Sequence, residues 1–390
     1  MPHHDERATT PGHHGDPLSR RLKVLHVSAS TREGVANVAL GYIRDQVDRG
    51  WHVTVACPSD GDLGYEARIA GAEVRWWQAT RRPGRSLSGE SRALARIVAD
   101  VEPDVVHLHS STAGLVGRLV VRDRIPTVFQ PHGWSFQAAT GAVRAVAHRW
   151  EWIAARRWTT ELVCVSEAER ALGEQHGIVG PTTVLPNGVD LAAFRPQGDR
   201  ERAAARAELG LHDVPTVVCV GRLTLQKGQQ DLLADWPSIR ARVPRAELLL
   251  VGDGPDRDFL VRQARRLRGV SLVGRRTDVA RWYAAADVVA VPSRWEGMAL
   301  VPLEAMASAR SVVVSDVTGM VESVPDDAGA IVPVTSALAD AVVERLLHPG
   351  QVEDEGWNGR SHVEFNHDVG RSARGLARVY LRLVGTRREQ

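Results

Sequence analysis

The chain has 390 residues, room for two domains of ordinary size, and its 43% apolar and 25% charged content is that of a globular protein. A net charge of +2 gives no global case for nucleic acid as a partner, and Cys57, Cys164 and Cys219 are too scattered for a metal motif. No apolar run approaches the roughly 18 residues needed to span a bilayer, and the N-terminus lacks an apolar signal core. The expectation is a cytoplasmic protein, either free or held on the inner face of the membrane.

Residues 1–20 are polar, rich in Pro, Gly and His, and read as a disordered tail. From Leu22 the pattern becomes regular. KVLHVS reads as a strand and GVANVALGYIRDQVDRG as an amphipathic helix, and further strands are expected at HVTVAC, AEVRWW, DVVHLHS, PTVFQPHG and ELVCVS. Strands alternating with helices imply a parallel sheet covered on both faces. The first loop, Ser28-Ala-Ser-Thr-Arg-Glu-Gly34, is not G-x-G-x-x-G, which disfavours a nicotinamide dinucleotide fold.

The stretch 142–158 carries Val143, Val146, Ala147, Trp150 and Ala154 at helical spacing, expected to face the core. Arg144, His148, Trp152 and Arg156 fall largely on the other side, within a segment holding seven arginines (118, 122, 124, 144, 149, 156 and 157). A basic helix with an exposed tryptophan suits an anionic lipid surface. The alternative is a core helix whose charged face is merely solvated.

The alternation pauses near 185–196. A charged helix over 199–209 follows, and a second series of strands is expected at 215–221, 246–251, 270–273, 286–291, 311–315 and 329–332. Helices over 336–347 and 370–385 close the chain. The expected division is a tail to 20, domains over 21–195 and 196–368, and a final helical segment over 369–390. The fold class is α/β, with two doubly wound Rossmann-like domains facing a central cleft, where ligands bind at strand C-termini.

Two stretches carry the chemistry. In Val220-Gly-Arg-Leu-Thr-Leu-Gln-Lys-Gly228 a strand ends at Gly221, and Arg222 and Lys227 follow in a loop. Lys227 is one of only two lysines among 49 basic residues. In SRWEGMALVPLEAMA, 293–307, Glu296 lies in a loop and Glu304 is expected in the first turn of a helix that accommodates Pro302. A helix start is an anion site. Carboxylates flanking a phosphate fit if they accept hydroxyl hydrogen bonds on either side of it, the layout of a sugar nucleotide. The diphosphate then needs a divalent metal or fixed cations. Asp60-Gly-Asp62 and Asp256-Arg-Asp258 read as turn residues, so no metal is expected and Arg222 and Lys227 supply the charge. His132 ends a strand beside Gly133 and is expected to face the cleft and contact sugar. His107 and His109 alternate along one strand, but no third metal ligand is evident in the sequence.

Together, G-R-x-x-x-x-K-G, LLVGDGP at 249–255 and E-x7-E resemble the family-4 retaining glycosyltransferases of the GT-B fold. Asp104-Val-Val-His-Leu-His109, His132-Gly133, Val165-Ser166-Glu167 and Pro186-Asn-Gly-Val-Asp190 support the likeness, which spans 22–380. The resemblance implies an acceptor-binding first domain and a nucleotide-sugar-binding second. It implies that Arg222 and Lys227 hold the donor diphosphate, with Gly34 and Gly221 in the adjoining loops. Glu304 would bind ribose, Glu296 the sugar, and the amides of Met298, Ala299 and Leu300 the phosphates. The last helix would brace the first domain, and neither metal nor cofactor would be needed. Met298-Ala299 stands where the family often has Phe-Gly, and Gly34 alone remains of a glycine pair. The acceptor would be a small metabolite or a lipid-linked glycan. The rivals are a sugar-nucleotide epimerase on the same scaffold and a non-catalytic sugar-nucleotide-binding protein.

Overall fold

The computed structural model describes residues 21–79, 86–196, 198–334 and 338–388; the expected tail lies outside them. The first sheet holds β1 (Lys23–Ser28), β2 (His52–Cys57), β3 (Glu73–Trp76), β4 (Val105–His109), β5 (Thr127–Gln130), β6 (Glu161–Cys164) and β7 (Thr182–Val184). Its order is β3-β2-β1-β4-β5-β6-β7. The second holds β8 (Thr216–Val220), β9 (Glu247–Val251), β10 (Val270–Gly274), β11 (Val288–Val291), β12 (Ser311–Ser315) and β13 (Gly329–Val332), in the order β10-β9-β8-β11-β12-β13. Every pairing is parallel.

Strands such as VVAV and SVVVS are buried on both faces, which is why they read as continuous apolar runs and not as alternation. Strand order reverses between β1 and β4, and again between β8 and β11. Both switch points leave a crevice at strand C-termini. The helix Val369–Arg388 crosses back to the first sheet, where Leu376, Val379 and Tyr380 are buried as their spacing predicts. Val189 and Val369 tie the crossing: Val189 N donates to His367 O at 2.8 Å and Val369 N to Val189 O at 3.1 Å.

Three expectations need correction. In the helix Gly141–Trp158 the apolar stripe is not wholly inward: Val143 is 68% and Val146 70% exposed, while Ala154 is buried. The first turns, residues 141–146, are exposed all round. Arg118 is no surface cation but a fully buried partner of Glu151 at 2.6 Å, stacked 3.8 Å over the Phe129 ring. The helix Pro349–Asn366 and the short strand β7 are absent from the sequence reading. The helix contains Gly350, Gly356 and Gly359, which argue against a helix by propensity. The last two are needed for packing, since a Cβ on Gly356 would stand 2.3 Å from Ala309 O and one on Gly359 2.8 Å from Met306 Cγ.

Candidate active site

The loop after β8 turns through Leu225–Lys227 and is fastened to the loop after β11. Arg294 N donates to Gln226 O at 2.7 Å, Gln226 Nε2 to Trp295 O at 3.0 Å, and the Arg294 guanidinium grips Asp231 through two hydrogen bonds. These ties bring the two predicted stretches together. Lys227 Nζ lies 2.6 Å from Glu296 Oε1, and its positive charge also acts on Glu304. Glu304 is buried and accepts from the Tyr283 hydroxyl at 2.7 Å. Burial raises its pKa, against smaller lowering effects of Tyr283 and Lys227. Glu304 stands in the second turn of the helix Leu300–Ala307, not the first, because the helix starts only at Leu300.

Gly221 neighbours Lys227: a Cβ there would be 3.7 Å from the lysine stem. Arg222 reaches across the cleft, its Nε 3.7 Å from Glu33 Oε2. Gly34 faces open space, with nothing within 4 Å of a Cβ built on it. Met298, Ala299 and Leu300 are buried, and Met298 O accepts from Asn187 Nδ2 of the first domain at 2.9 Å. No side chain caps the helix start at Ala299, so the N–H groups there are not taken up by a capping side chain.

His132 meets this group from the opposite domain. It is the bend after β5, with a left-handed φ of 53°. Gly297 explains the close approach: a Cβ on it would stand 2.9 Å from Gly133 N and 3.3 Å from His132 C. The backbone beside Glu296 therefore touches the backbone of His132 and Gly133. The DxD-like triplets are engaged elsewhere. Asp62 pairs with Arg275 of the second domain, and Asp256 stands at the N-cap of the helix Arg257–Ala264.

Four residues of the site escaped the sequence reading. Glu33 was visible only as a charge beside Gly34. Tyr283 carried no signal beyond an apolar helix. His26, on β1, completes a cluster with His107 and His109, so the missing third imidazole is supplied by a neighbouring strand. Glu169 did leave a trace, because Ser166-x-x-Glu169 has capping-box spacing. Ser166 caps the helix Glu167–Gln175, accepting from Glu169 N at 3.0 Å. The Glu169 carboxylate instead accepts from Val165 N at 2.8 Å and from Gly133 N at 2.5 Å, pinning the His132 bend. Burial raises its pKa to about 7, against the lowering effect of those two amides.

Two facing Rossmann-like sheets, with cations and acids gathered at the switch point of one and a histidine at the rim of the other, define a glycosyltransferase of the GT-B type. Residues 32–193 match Glycosyltransferase Family 4 and residues 214–348 match Glycosyl transferases group 1. The UDP-Gal:alpha-D-GlcNAc-diphosphoundecaprenol alpha-1,3-galactosyltransferase of Escherichia coli is 31% identical over 318 residues, which are 77% of this chain and 80% of that one. Glycogen synthase of Mycobacterium tuberculosis is 29% identical over 86% of this chain and 81% of its own. Anabaena HepE in complex with UDP-glucose superposes with a TM-score of 0.81 at 22% identity, over 92% of this chain and 99% of that one. The chain belongs to the family-4 glycosyltransferases and uses a nucleotide-sugar donor. Nothing in these likenesses supports the epimerase alternative.

Proposed function

We propose that the protein moves a hexosyl or N-acetylhexosaminyl group from a nucleotide-diphosphate sugar to an acceptor hydroxyl with retention of configuration. The observation that carries this reading is Lys227, held at 2.6 Å by Glu296 and beside Glu304, with His132 across the cleft. Arg222, Lys227 and the N–H groups of 298–300 take the diphosphate charge, Glu304 takes the ribose hydroxyls, and Glu296 and His132 take the sugar. The bond from the anomeric carbon to the diphosphate oxygen breaks, and a bond to the acceptor oxygen forms on the same face. The acceptor proton passes to the leaving phosphate, so no protein nucleophile is required.

Fixed cations do the work a divalent metal does in other phosphate chemistry. Treatment with EDTA therefore leaves the rate unchanged, and strict metal dependence would count against the scheme. Acceptor-dependent release of nucleoside diphosphate, with NMR assignment of the product's anomeric configuration, tests the reaction itself. An isomerised donor formed without acceptor, or an inverted product, would refute it.

The acceptor we favour is a glycan on a lipid diphosphate, with a small metabolite such as an aminocyclitol as the other reading. No helix among the described residues is long and apolar enough to cross a membrane. The helix Gly141–Trp158 does expose Val143, Val146 and Trp152, and Arg156 lies 4.3 Å over the Trp152 ring. Arg144 and Arg149 are exposed on the same helix, which starts on the strand-end side of the first sheet. Apolar residues among arginines fit an anionic bilayer, where a lipid-linked acceptor would be met. Cosedimentation with phosphatidylglycerol vesicles but not with phosphatidylcholine vesicles is the expected outcome.

A further inference from the structure

A buried row of ring nitrogens runs from the helix Glu33–Asp48 to the cleft. Gln46 Oε1 lies 2.9 Å from His26 Nε2, His26 Nδ1 lies 3.0 Å from His109 Nε2, and His109 Nδ1 lies 3.2 Å from His132 Nε2. The rings stack, at 16° between His26 and His109 and 24° between His109 and His132. A neutral imidazole has one N–H and one lone pair, so the first link of such a row dictates every later one.

The Gln46 carbonyl sets that first link. Gln130 Nε2 donates to the Tyr42 hydroxyl at 3.4 Å, outside the row. His107 stands beside the row, its Nδ1 2.6 Å from the Tyr380 hydroxyl. The Gln46 carbonyl oxygen faces His26 Nε2 at 2.9 Å. A carbonyl only accepts. His26 therefore donates from Nε2, His109 donates from Nε2 to His26, and His132 donates from Nε2 to His109. The Nδ1 lone pair of His132 remains, with no partner among the described residues.

We infer that Gln46 and His26 are positioning residues that lock His132 as the Nε2–H tautomer, so that a bare Nδ1 lone pair is offered to the sugar. This deepens the proposed function and rests on it. A lone pair accepts from a hydroxyl and repels a carboxylate or phosphate oxygen. The sugar at this position therefore carries a hydroxyl there, and a uronic acid is rejected. Burial keeps the row uncharged at working pH, lowering His26 to about 4 and His132 to about 3. His26 and His109, with His107 beside them, lie close enough to share a metal ion, but His26 and His109 hydrogen-bond to each other instead.

The test is long-range proton–nitrogen NMR of histidine-labelled protein, together with donor kinetics and calorimetry of nucleoside diphosphate binding. Wild-type protein is expected to show a pyrrole-like Nε2 and a pyridine-like Nδ1 at His132. Gln46→Met, which cannot accept from His26, should mix the tautomers and raise KM for the donor sugar about tenfold. Gln46→Glu keeps an acceptor and should restore the wild-type tautomer. Nucleoside diphosphate affinity should stay within about twofold in both variants, because the row does not reach the diphosphate. An Nδ1–H at wild-type His132, unchanged tautomers in Gln46→Met, or one tightly held metal ion per purified chain would overturn the inference while leaving the proposed reaction standing. Failure of the wild-type protein to bind any nucleoside diphosphate would instead sink the functional reading.

Discussion

Lys227 sits where one compact charge bonds Glu296 at 2.6 Å and acts through space on Glu304. An arginine is planar and bulkier and would not replace it. Lys227→Ala should lower kcat by roughly 100- to 1000-fold with little loss of stability, measured by donor turnover and urea denaturation. Glu169 offers a pH signature. Its folded pKa of about 7 lies above its ordinary 4.5, so the folded chain holds a proton that the unfolded chain has released between those values. The associated stability is complete below about pH 4.5 and is lost as pH rises through about 7. Compared with Glu169→Gln, which does not titrate, wild-type stability should decline by about 1–3 kcal/mol between pH 5 and pH 8. Wild-type stability that rises with pH relative to Glu169→Gln would contradict this account of the His132 bend. The candidate side chains were legible as candidates: Arg222, Lys227, Glu296, Glu304 and His132 all stood out by residue type and position. Their supporting partners were not, because Tyr283 and His26 reach the site through tertiary contacts that leave no local pattern.

At the scale of elements, strands and long amphipathic helices were readable because burial on both faces leaves continuous apolar runs. The helix Pro349–Asn366 was not, since its use of glycine serves the neighbour and not the helix. It backs the helix Leu300–Ala307 that carries Glu304, with Gly356 against Ala309 O and Gly359 against Met306. Gly356→Val forces the two helices apart and should cost about 1–3 kcal/mol of stability, read from the urea midpoint. Donor KM should rise in the same variant, because Glu304 moves with its helix. The helix Gly141–Trp158 misled for a different reason. A periodic pattern states which residues share a face but not whether any neighbour covers it, and its first turns have none.

At the scale of the whole molecule, the final helix and the buried histidines tie stability to pH. His26, His107, His109 and His132 all have lowered pKa values, each mainly through burial. Lowered values mean that below about pH 6.5 the unfolded chain takes up protons the folded chain refuses. Stability is therefore full above that pH and falls as pH drops below it, each buried neutral histidine adding to the loss. This outweighs the opposite trend of the single Glu169, and Tm should fall clearly between pH 7 and pH 5; a constant Tm would refute the neutral buried row. The architecture itself followed from strand and helix alternation with one pause, while the meeting of the two domains at Gly297 and Gly133 needed coordinates.

The most direct test is a crystal structure with the nucleoside diphosphate that most raises the melting temperature. The account predicts the diphosphate within about 3 Å of Lys227 Nζ and Arg222, and the ribose hydroxyls on Glu304. A nucleotide bound away from these three side chains would contradict it.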